Sequence, residues 1–436
     1  MSLLNQYILS YISEVIITTP DGQEYDILPY ISTINLSENL YSYFVEGVIV
    51  LEDTPSTRFL LKVNTQGTYD TKINFSFSGA EGKEKTPQEE ISINDSDYSI
   101  SEIESSATQD KTQNLVIRFF HNSFIENKKK LISTSFQQEK ISSIVRKLGK
   151  KINLKMNIEE TSDSITTVLP YGTCTQHIVN LTKYARREKN NNDCNYLFWQ
   201  DLKGNHNFLS LSELYSQPPS FGNDINTGFM FGNYFSNDYS INRRLVSKHT
   251  PISNPVTKTH FGGAYKSGIV FVDKFLKNGS EYIEYDLRDE WDKQTHLNEN
   301  FIIPKNSSFW EETTSSSLTR LYTSSRHSYC CNENKGGQRN ERFVASRRMS
   351  QLAQLQQIGL KFKISGNSNL DEISAGKIIY FGRPLNYDPE SIKQEDIYYS
   401  GKFLITSVIH MIKRNKMGIY EYSCEIQCFK DSIGEE

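Results

Sequence analysis

Residues 359–431 alternate strand-like runs with polar corners, a pattern that commits this part of the chain to antiparallel β-structure. The run reads GLKFKISGNSNLDEISAGKIIYFGRP and resumes at Ser400 as SGKFLITSVIHMIKRNKMGIYEYSCEIQCFKDS. A strand meets a Gly-Asn corner, a Gly-Lys turn leads into a second strand, and a loop delivers a long hairpin that ends at Lys430 and Asp431. In the last strand Tyr420, Tyr422, Cys424, Ile426 and Cys428 share one face, while Glu421, Ser423, Glu425 and Gln427 share the other. A period of two belongs to a strand with one face buried. Residues 413–418 form the polar turn expected between it and its partner, 403–412.

At 436 residues the chain is too long for one ordinary core, so two to four domains are expected. A net charge of −4 argues against a protein whose main task is to hold nucleic acid, since such chains are usually basic. Mean hydropathy is −0.54 and no apolar run approaches ~18 residues, so no membrane span is expected. The opening MSLLNQYILSYISEV lacks a basic leader and a small-residue cleavage site, so no signal peptide is expected. Tyr (25) and Phe (24) supply almost all the aromatics, which suits half-buried β faces and protein–protein contacts alike. The six cysteines show no paired metal-type spacing. Cys424 and Cys428 sit four apart on one strand face, about 13–14 Å from each other, and cannot bridge. Thiols in a reducing cytoplasm are the expected state during assembly.

The chain divides into four parts. Residues 1–125 read as an all-β unit, with strands at 14–18, 25–28, 31–36, 45–51, 72–78 and 115–120. GAEGKEKTPQEE (79–90) and ESSATQDKTQN (104–114) read as solvated loops. Residues 126–227 mix helix and strand. SFQQEKISSIVRKLGKKI (135–152) reads as an amphipathic helix with Ile141, Ile144, Val145 and Leu148 on one side. YGTCTQHIVNLTKYARREKN (171–190) reads as a second helix, capped by Thr173 or Thr175, with Ile178, Leu181 and Tyr184 inward. A hairpin of 196–200 and 207–211 crosses a turn at 201–204, and Gln217-Pro218-Pro219 marks a break. Residues 228–265 and 341–431 form a second, discontinuous β-unit, whose helix at 342–357 places Phe343, Met349, Leu352 and Leu355 on its apolar side. Residues 266–340, with SSFWEETTSSSL and CCNENKGGQRN, read as a loop-like insertion.

The constellations that could carry chemistry are weak. His327 with Cys330 and Cys331 lacks a second ligand pair at zinc-site spacing, and adjacent cysteines diverge. His410 and His177 sit in apolar patterns and read as structural. No nucleophile-elbow, zincin or P-loop motif occurs, and Gly262-Gly263 and Gly336-Gly337 read as isolated turns. Glu159-Glu160 and Glu311-Glu312 lie in polar contexts, although folding can bring glycosidase acids together from anywhere. A basic stretch (Lys128, Lys129, Lys130, Lys140, Arg146, Lys147, Lys150, Lys151 and Lys155) reads as a solvated face or a contact for an acidic partner. The same reading applies to Arg339, Arg342, Arg347 and Arg348. No catalytic, cofactor-binding or metal-ligating residue is assigned, and an enzyme is not expected.

Taken in order, several segments resemble the central baseplate hub subunit of myovirus-type, contractile-tailed phages. They are INLSENLYSYFVEGVIVLEDT (34–54), NYLFWQDLKGNHNFLSLSEL (195–214), ERFVASRRMSQLAQLQQIGLKFKISGNSNLDEISAGKIIYF (341–381) and the closing SGKFLITSVIH hairpin. The resemblance leaves gaps at 80–110 and 266–340; the latter makes the chain long for a hub and could meet a partner particular to its own machine. It implies a β-rich, mixed α+β chain with two tube- or hub-type antiparallel β-barrel domains, an α/β middle domain and an insertion. It also implies a homotrimer in which two similar β-domains per chain make six near-equivalent positions, adapting a sixfold tail tube to a threefold spike. Tyr41, Phe44, Phe403 and Tyr420 become candidate packing residues, and His410 takes a structural role. The implied partners are the central spike protein, tail tube or tube-initiator proteins, baseplate wedge proteins and a tape measure protein. DNA would touch the chain only in transit. The implied location is the tail baseplate of a virion assembled in the host cytoplasm. A hub of a non-viral injection system is a variant of this reading. A peptidoglycan hydrolase of the tail and a receptor- or carbohydrate-binding tail module are the alternatives.

Overall fold

The structure is a computed structural model, and it describes residues 10–55, 57, 60, 71–79, 91–92, 98–107, 113–162, 164–190, 193–232, 244–253, 263–272, 280–303, 319–323, 328–330, 339–365, 372–385 and 395–434. The chain is β-rich with a mixed α+β fold.

The first strands are β1 (Ser10–Thr18), β2 (Glu24–Asp26), β3 (Ile31–Asn39), β4 (Glu46–Glu52), β5 (Lys72–Gly79), β6 (Ile91–Ser92), β7 (Tyr98–Ala107) and β8 (Gln113–His121). They pair antiparallel in the order β3-β4-β8-β7-β5-β1-β2, with β6 beside β5. Alternation drives the pairing: Ile49 and Leu51 of β4 and Leu115, Ile117 and Phe119 of β8 are fully buried, while Arg118 between them is exposed. Each such side chain contributes roughly 1.5–3 kcal/mol on burial. The loop expected at 104–114 begins later than its polarity suggests. Residues 104–107 extend β7 in register with β8 as far as Ala107 opposite Gln113, because ladder hydrogen bonds outweigh weak strand propensity.

The middle of the chain carries α1 (Ser123–Lys129), β9 (Leu131–Lys140), α2 (Ile141–Lys151), β10 (Lys155–Ile158), β11 (Ser164–Thr173), α3 (Cys174–Leu181), β12 (Tyr196–Gln200), β13 (Asn205–Ser210) and α4 (Leu211–Tyr215). Here the expected helix at 135–152 is corrected. Residues 135–140 are strand, paired with β11, and the helix starts at Ile141 where the i, i+3, i+4 apolar spacing starts. Ile141, Ile144, Val145 and Leu148 are buried as expected. The next helix is shorter than its pattern and stops at Leu181; Thr173 caps it through a reciprocal box with Gln176. Both helices pack with β9, β11, β12 and β13 around one apolar cluster.

The remainder comprises β14 (Phe229–Phe231), β15 (Leu245–Val246), β16 (His249–Ser253), β17 (Lys266–Val272), β18 (Ser280–Asp286), α5 (Leu287–Glu290), β19 (Thr319–Thr323), β20 (Ser328–Cys330), α6 (Arg339–Leu355), β21 (Ile358–Ser365), β22 (Ile378–Gly382), β23 (Gly401–Arg414) and β24 (Tyr420–Lys430). A series of pairings runs here: β16 with β21, β21 with β24, β24 with β23, β23 with β22, β22 with β14 and β14 with β15, so that its two end strands, β15 and β16, are neighbours in sequence. The pairings of β14 with β15 and with β22 are parallel, so the sheet is mixed.

Strand β23 changes neighbours halfway. Its first residues, 401–404, pair with β22, and 407–413 pair with β3 on the same side. The switch coincides with a bulge at Thr406, whose carbonyl accepts from Leu40 N at 2.9 Å. The far end of the β23–β24 hairpin therefore belongs with the first strands, and β1 lies against β24. Among the described residues the result is one 15-stranded sheet with a single continuous core, running from Val15 and Ile34 to Phe403 and Ile426.

Residues 266–340 are not simply loop. Strands β18, β17 and β19 form a small sheet, and β20 joins β11. The segment after α5 clasps the chain's end. His296 Nδ1 lies 2.8 Å from Asp431 Oδ2, Leu297 N donates to Asp431 Oδ1 at 3.1 Å, and Asn300 bridges Ile433. Polar composition concealed this because the contacts are themselves polar.

Candidate functional site

The first strands, the middle hairpin and the last β-unit meet at the end of β3. There Ile34, Leu36 and Glu38 follow the buried period of the strand, so Glu38 points where an apolar side chain would otherwise go. It is 1% exposed. Its carboxylate accepts three hydrogen bonds: from Leu202 N (2.7 Å) in the β12–β13 turn, and from Ser374 Oγ (2.8 Å) and Ala375 N (2.9 Å) before β22. Burial pushes its pKa up to about 7, against the opposing pull of those three donors; nearby Asp201 adds to the rise. One side chain thus ties three parts of the chain together.

Glu38 also forms part of the wall of a cleft of about 590 Å³ between the hairpin and the 374–377 turn. The charges around it are mixed, with Asp201 and Glu213 against Lys155, Lys203 and Lys377. Trp199 closes the floor against Gly376, whose φ is +90° and whose missing Cβ would stand 2.8 Å from Trp199 Cζ2. Ser374 beside Glu38 is the one hydroxyl–carboxylate pair in the wall. The adjacent backbone donor bonds the carboxylate itself and does not form a hole for a developing oxyanion. The arrangement fastens structure and offers a polar recess.

A second buried ionic group lies nearby. Arg187 bonds Glu159 (2.5 Å), Glu213 and Asp193 (3.5 Å), and Glu159 also accepts from Ser210 N at 2.8 Å. Burial raises the Asp193 pKa against the pull of its partners. Glu159 is therefore structural, while its neighbour Glu160 pairs with Arg146. Lys430 is also fully buried; its ammonium donates to the Ile397 (3.0 Å) and Ser400 (2.6 Å) carbonyls, and burial brings its pKa down to about 7.

The other residues singled out by sequence fall as follows. His410 is buried on β23 with Nδ1 2.7 Å from the Tyr422 hydroxyl, and burial lowers its pKa to about 4. His177 is buried on α3. Phe403 is fully buried, Phe44 nearly so, Tyr420 reaches the Leu28 carbonyl (2.9 Å), and Tyr41 stays 47% exposed. Much of the basic stretch is internally paired: Lys140 with Glu188, Arg146 with Glu160, Lys147 with Glu139 and Lys129 with Glu126. Arg347 pairs with Glu290, and Arg348 donates to the Tyr196 carbonyl. Cys174, Cys194, Cys424 and Cys428 are buried thiols without disulfides. His327, Cys331, Gly262, Gly336, Gly337, Glu311 and Glu312 lie outside the described residues, as do the side chains of Cys330, Arg339, Arg342 and Phe343. Among the described residues no three His, Cys, Asp or Glu side chains converge as metal ligands, and no helix is long and apolar enough to cross a membrane. Sequence reading missed Glu38, Arg187 and Lys430; the available signal was a charged residue standing in the buried register of a strand.

No protein-family model and no curated protein sequence matches the chain. Solved structures do. The tail protein from Neisseria meningitidis MC58 is similar over 96% of this chain and 96% of its own, at 9% identity and a TM-score of 0.50. The 43 kDa tail protein of prophage MuSo2 from Shewanella oneidensis matches over 96% of this chain and 99% of its own, at 10% identity and a TM-score of 0.48. A chain of the Francisella PdpA-VgrG complex matches all of this chain over 55% of its own length, at 10% identity and a TM-score of 0.46. At such identities the likeness is one of architecture: along nearly its whole length, the chain has the β-rich fold of a solved tail protein.

Proposed function

We propose that the chain is a structural hub subunit in the baseplate of a phage-type tail, present in the virion and assembled in the host cytoplasm. The observation that carries this is the fold shared with a tail protein over 96% of both chains. In this reading the chain is a homotrimer. Its two β-units supply six positions to a ring that adapts a sixfold tube to a threefold spike and surrounds the channel for the genome. The shared β23 strand supports the reading, because a continuous sheet holds both units in one fixed relation. A ring subunit needs that rigidity if three copies are to close without strain. The exposed Tyr41 and Tyr43 offer contact area of the kind interfaces use. The partners are the central spike, tube or tube-initiator proteins and wedge proteins. The chain acts by shape and catalyses no reaction.

Light scattering on the purified chain tests the assembly. The expected species contains three copies of the 50.2 kDa chain, by itself or with the added mass of its spike protein, and electron micrographs show closed rings. A strict monomer under both conditions would overturn the proposal. A clearing zone on a peptidoglycan gel, abolished by a single carboxylate substitution, would replace it with the hydrolase reading.

A further inference from the structure

Strands β20, β11 and β9 make a separate three-stranded sheet in that order. Strand β9 is therefore an edge, and no strand among the described residues pairs along its outer side. The inner face of the sheet is occupied: Phe136, Ile165 and Leu169 are buried in the cluster they share with α2 and α3. The outer face is open, and Leu131, Ser133, Ser135 and Gln137 are exposed in alternation along β9.

Edge strands are normally guarded by a charge, a proline or an early bulge, because their unpaired N–H and C=O groups invite another strand. Residues 131–136 of β9 read LISTSF and carry neither charge nor proline. A bulge comes only beyond them, where the register breaks between Ile165 and Thr167 and Gln138 takes a φ of +51°. That leaves an unguarded edge of roughly 20 Å, with alternate residues turning their N–H and C=O groups away from β11. Apolar side chains stand beside it. Leu131 is 43% exposed, Val168 opposite Ser135 is 49% exposed, and Tyr171 in the bulge between Leu169 and Gly172 is 75% exposed. An open ladder gives a strand somewhere to pair, and the apolar side chains next to it give that strand something to cover.

Charge distinguishes the two ends of this edge. Lys130 precedes Leu131, and its ammonium donates to the carbonyl of Lys151 at the end of α2. Burial raises the pKa of the Cys174 thiol next to Thr173, and Lys151 and Lys130 both pull against that rise, so the two ammonium groups stand at the Leu131–Thr173 end of the sheet. Lys150 adjoins them in sequence. Among the described residues none of these three lysines pairs with a carboxylate, and Glu126 is taken by Lys129. At the other end Lys140 and Lys147 are matched by Glu188 and Glu139.

We propose that the outer edge of β9 accepts an extended segment of another protein as an added strand. The segment is about six residues of apolar or β-branched character, with carboxylates at the end that lies by Leu131. A second copy of this chain fits poorly. Its β9 laid antiparallel would meet the unpaired lysines with an end whose charges are already matched, and laid parallel it would set lysines against lysines. The inference does not depend on the trimeric reading above.

Selection of a random dodecapeptide library on the full chain is the test, followed by fluorescence anisotropy with the enriched peptide made synthetically. Enriched sequences are expected to hold a run of apolar or β-branched residues with Asp or Glu at one end only. N-methylation of one set of alternate residues in the peptide should abolish binding and of the other set should leave it, since only alternate N–H groups of an added strand face its neighbour. Tyr171→Ser, and Lys150→Gln combined with Lys151→Gln, should each weaken binding by about tenfold. All three residues are exposed, so these variants fold. Lys416→Gln, in the distant β23–β24 turn, should leave binding unchanged. Failure to enrich any peptide, enrichment without terminal acids, or equal tolerance of both N-methylated sets overturns the proposal. So does a self-association of the chain that Tyr171→Ser abolishes, which would give this edge to a second copy.

Discussion

Replacing Glu38 by Gln keeps the side chain's size and one carbonyl acceptor but removes its titration. In the folded chain the carboxyl has its pKa raised from 4.5 to about 7, chiefly by burial. A carboxyl raised on folding holds its proton more tightly in the native state. Its contribution to stability is complete below about 4.5, where both states are protonated, and is lost as the pH climbs through about 7. At ~1.36 kcal/mol per pKa unit, the wild type gives up about 3 kcal/mol over that window. Glu38→Gln cannot lose it. Urea unfolding followed by tryptophan fluorescence, at steps from about pH 4.5 to 8, reads the difference, and other titrating groups cancel between the two proteins. The wild-type curve should fall toward the variant's, or below it, as the pH rises. Glu38→Ala goes further, since the Leu202 and Ala375 amides and the Ser374 hydroxyl all lose their acceptor. At about 1 kcal/mol or more each, it should cost about 3 kcal/mol at low pH. Parallel pH curves for wild type and Glu38→Gln would refute the idea that desolvation governs this group.

Four further substitutions separate buried from exposed interactions. Arg187→Met strands the buried Glu159 and Asp193 without their cation, leaving Glu213 only Lys189, and should lower the unfolding free energy by about 3–5 kcal/mol; Arg146→Ala breaks an exposed pair and should change it by no more than about 0.5 kcal/mol in the same denaturation experiment. Gly376→Ala drives a methyl to within 2.8 Å of Trp199 at a φ of +90°, so a loss of about 1–3 kcal/mol with a shifted tryptophan emission is expected. Tyr422→Phe removes the hydroxyl that His410 Nδ1 meets at 2.7 Å inside the core, and a lowered urea midpoint worth about 1–2 kcal/mol should follow.

The β23–β24 hairpin was readable because its alternation is long and one face is fully apolar; Tyr422, Cys424, Ile426 and Cys428 are all buried. The α2 core positions were readable for the same reason at a helical period. What escaped was set by partners distant in sequence. Residues 135–140 have no strong period of their own and became strand because β11 offered a ladder. Residues 104–107 followed β8 in the same way. Glu38 looked like an ordinary polar residue before a turn, and only its donors at 202, 374 and 375 make its position in the buried register tolerable. Polar anchoring is nearly invisible in a single sequence, since the same residue types serve solvent and hydrogen-bonded interior alike.

The change of neighbour along β23 bears on how the first strands relate to the last ones. A strand that serves one sheet can be cut away with it, whereas a 14-residue strand divided between β22 and β3 cannot. Severing the units would expose the N–H and C=O groups of β3 or of β22, together with apolar faces that share one core. The bulge at Thr406 lets a single strand face two neighbours, because the added residue bends the chain and re-aims its hydrogen bonds. Glu38 then locks the same junction from the opposite side, bonding the middle hairpin and the 374–375 turn within a few residues of that bulge's partner, Leu40. The registration of the first strands with the last ones is thus a property of backbone pairing and one buried carboxylate, and the pH dependence of that carboxylate acts on the junction as a whole.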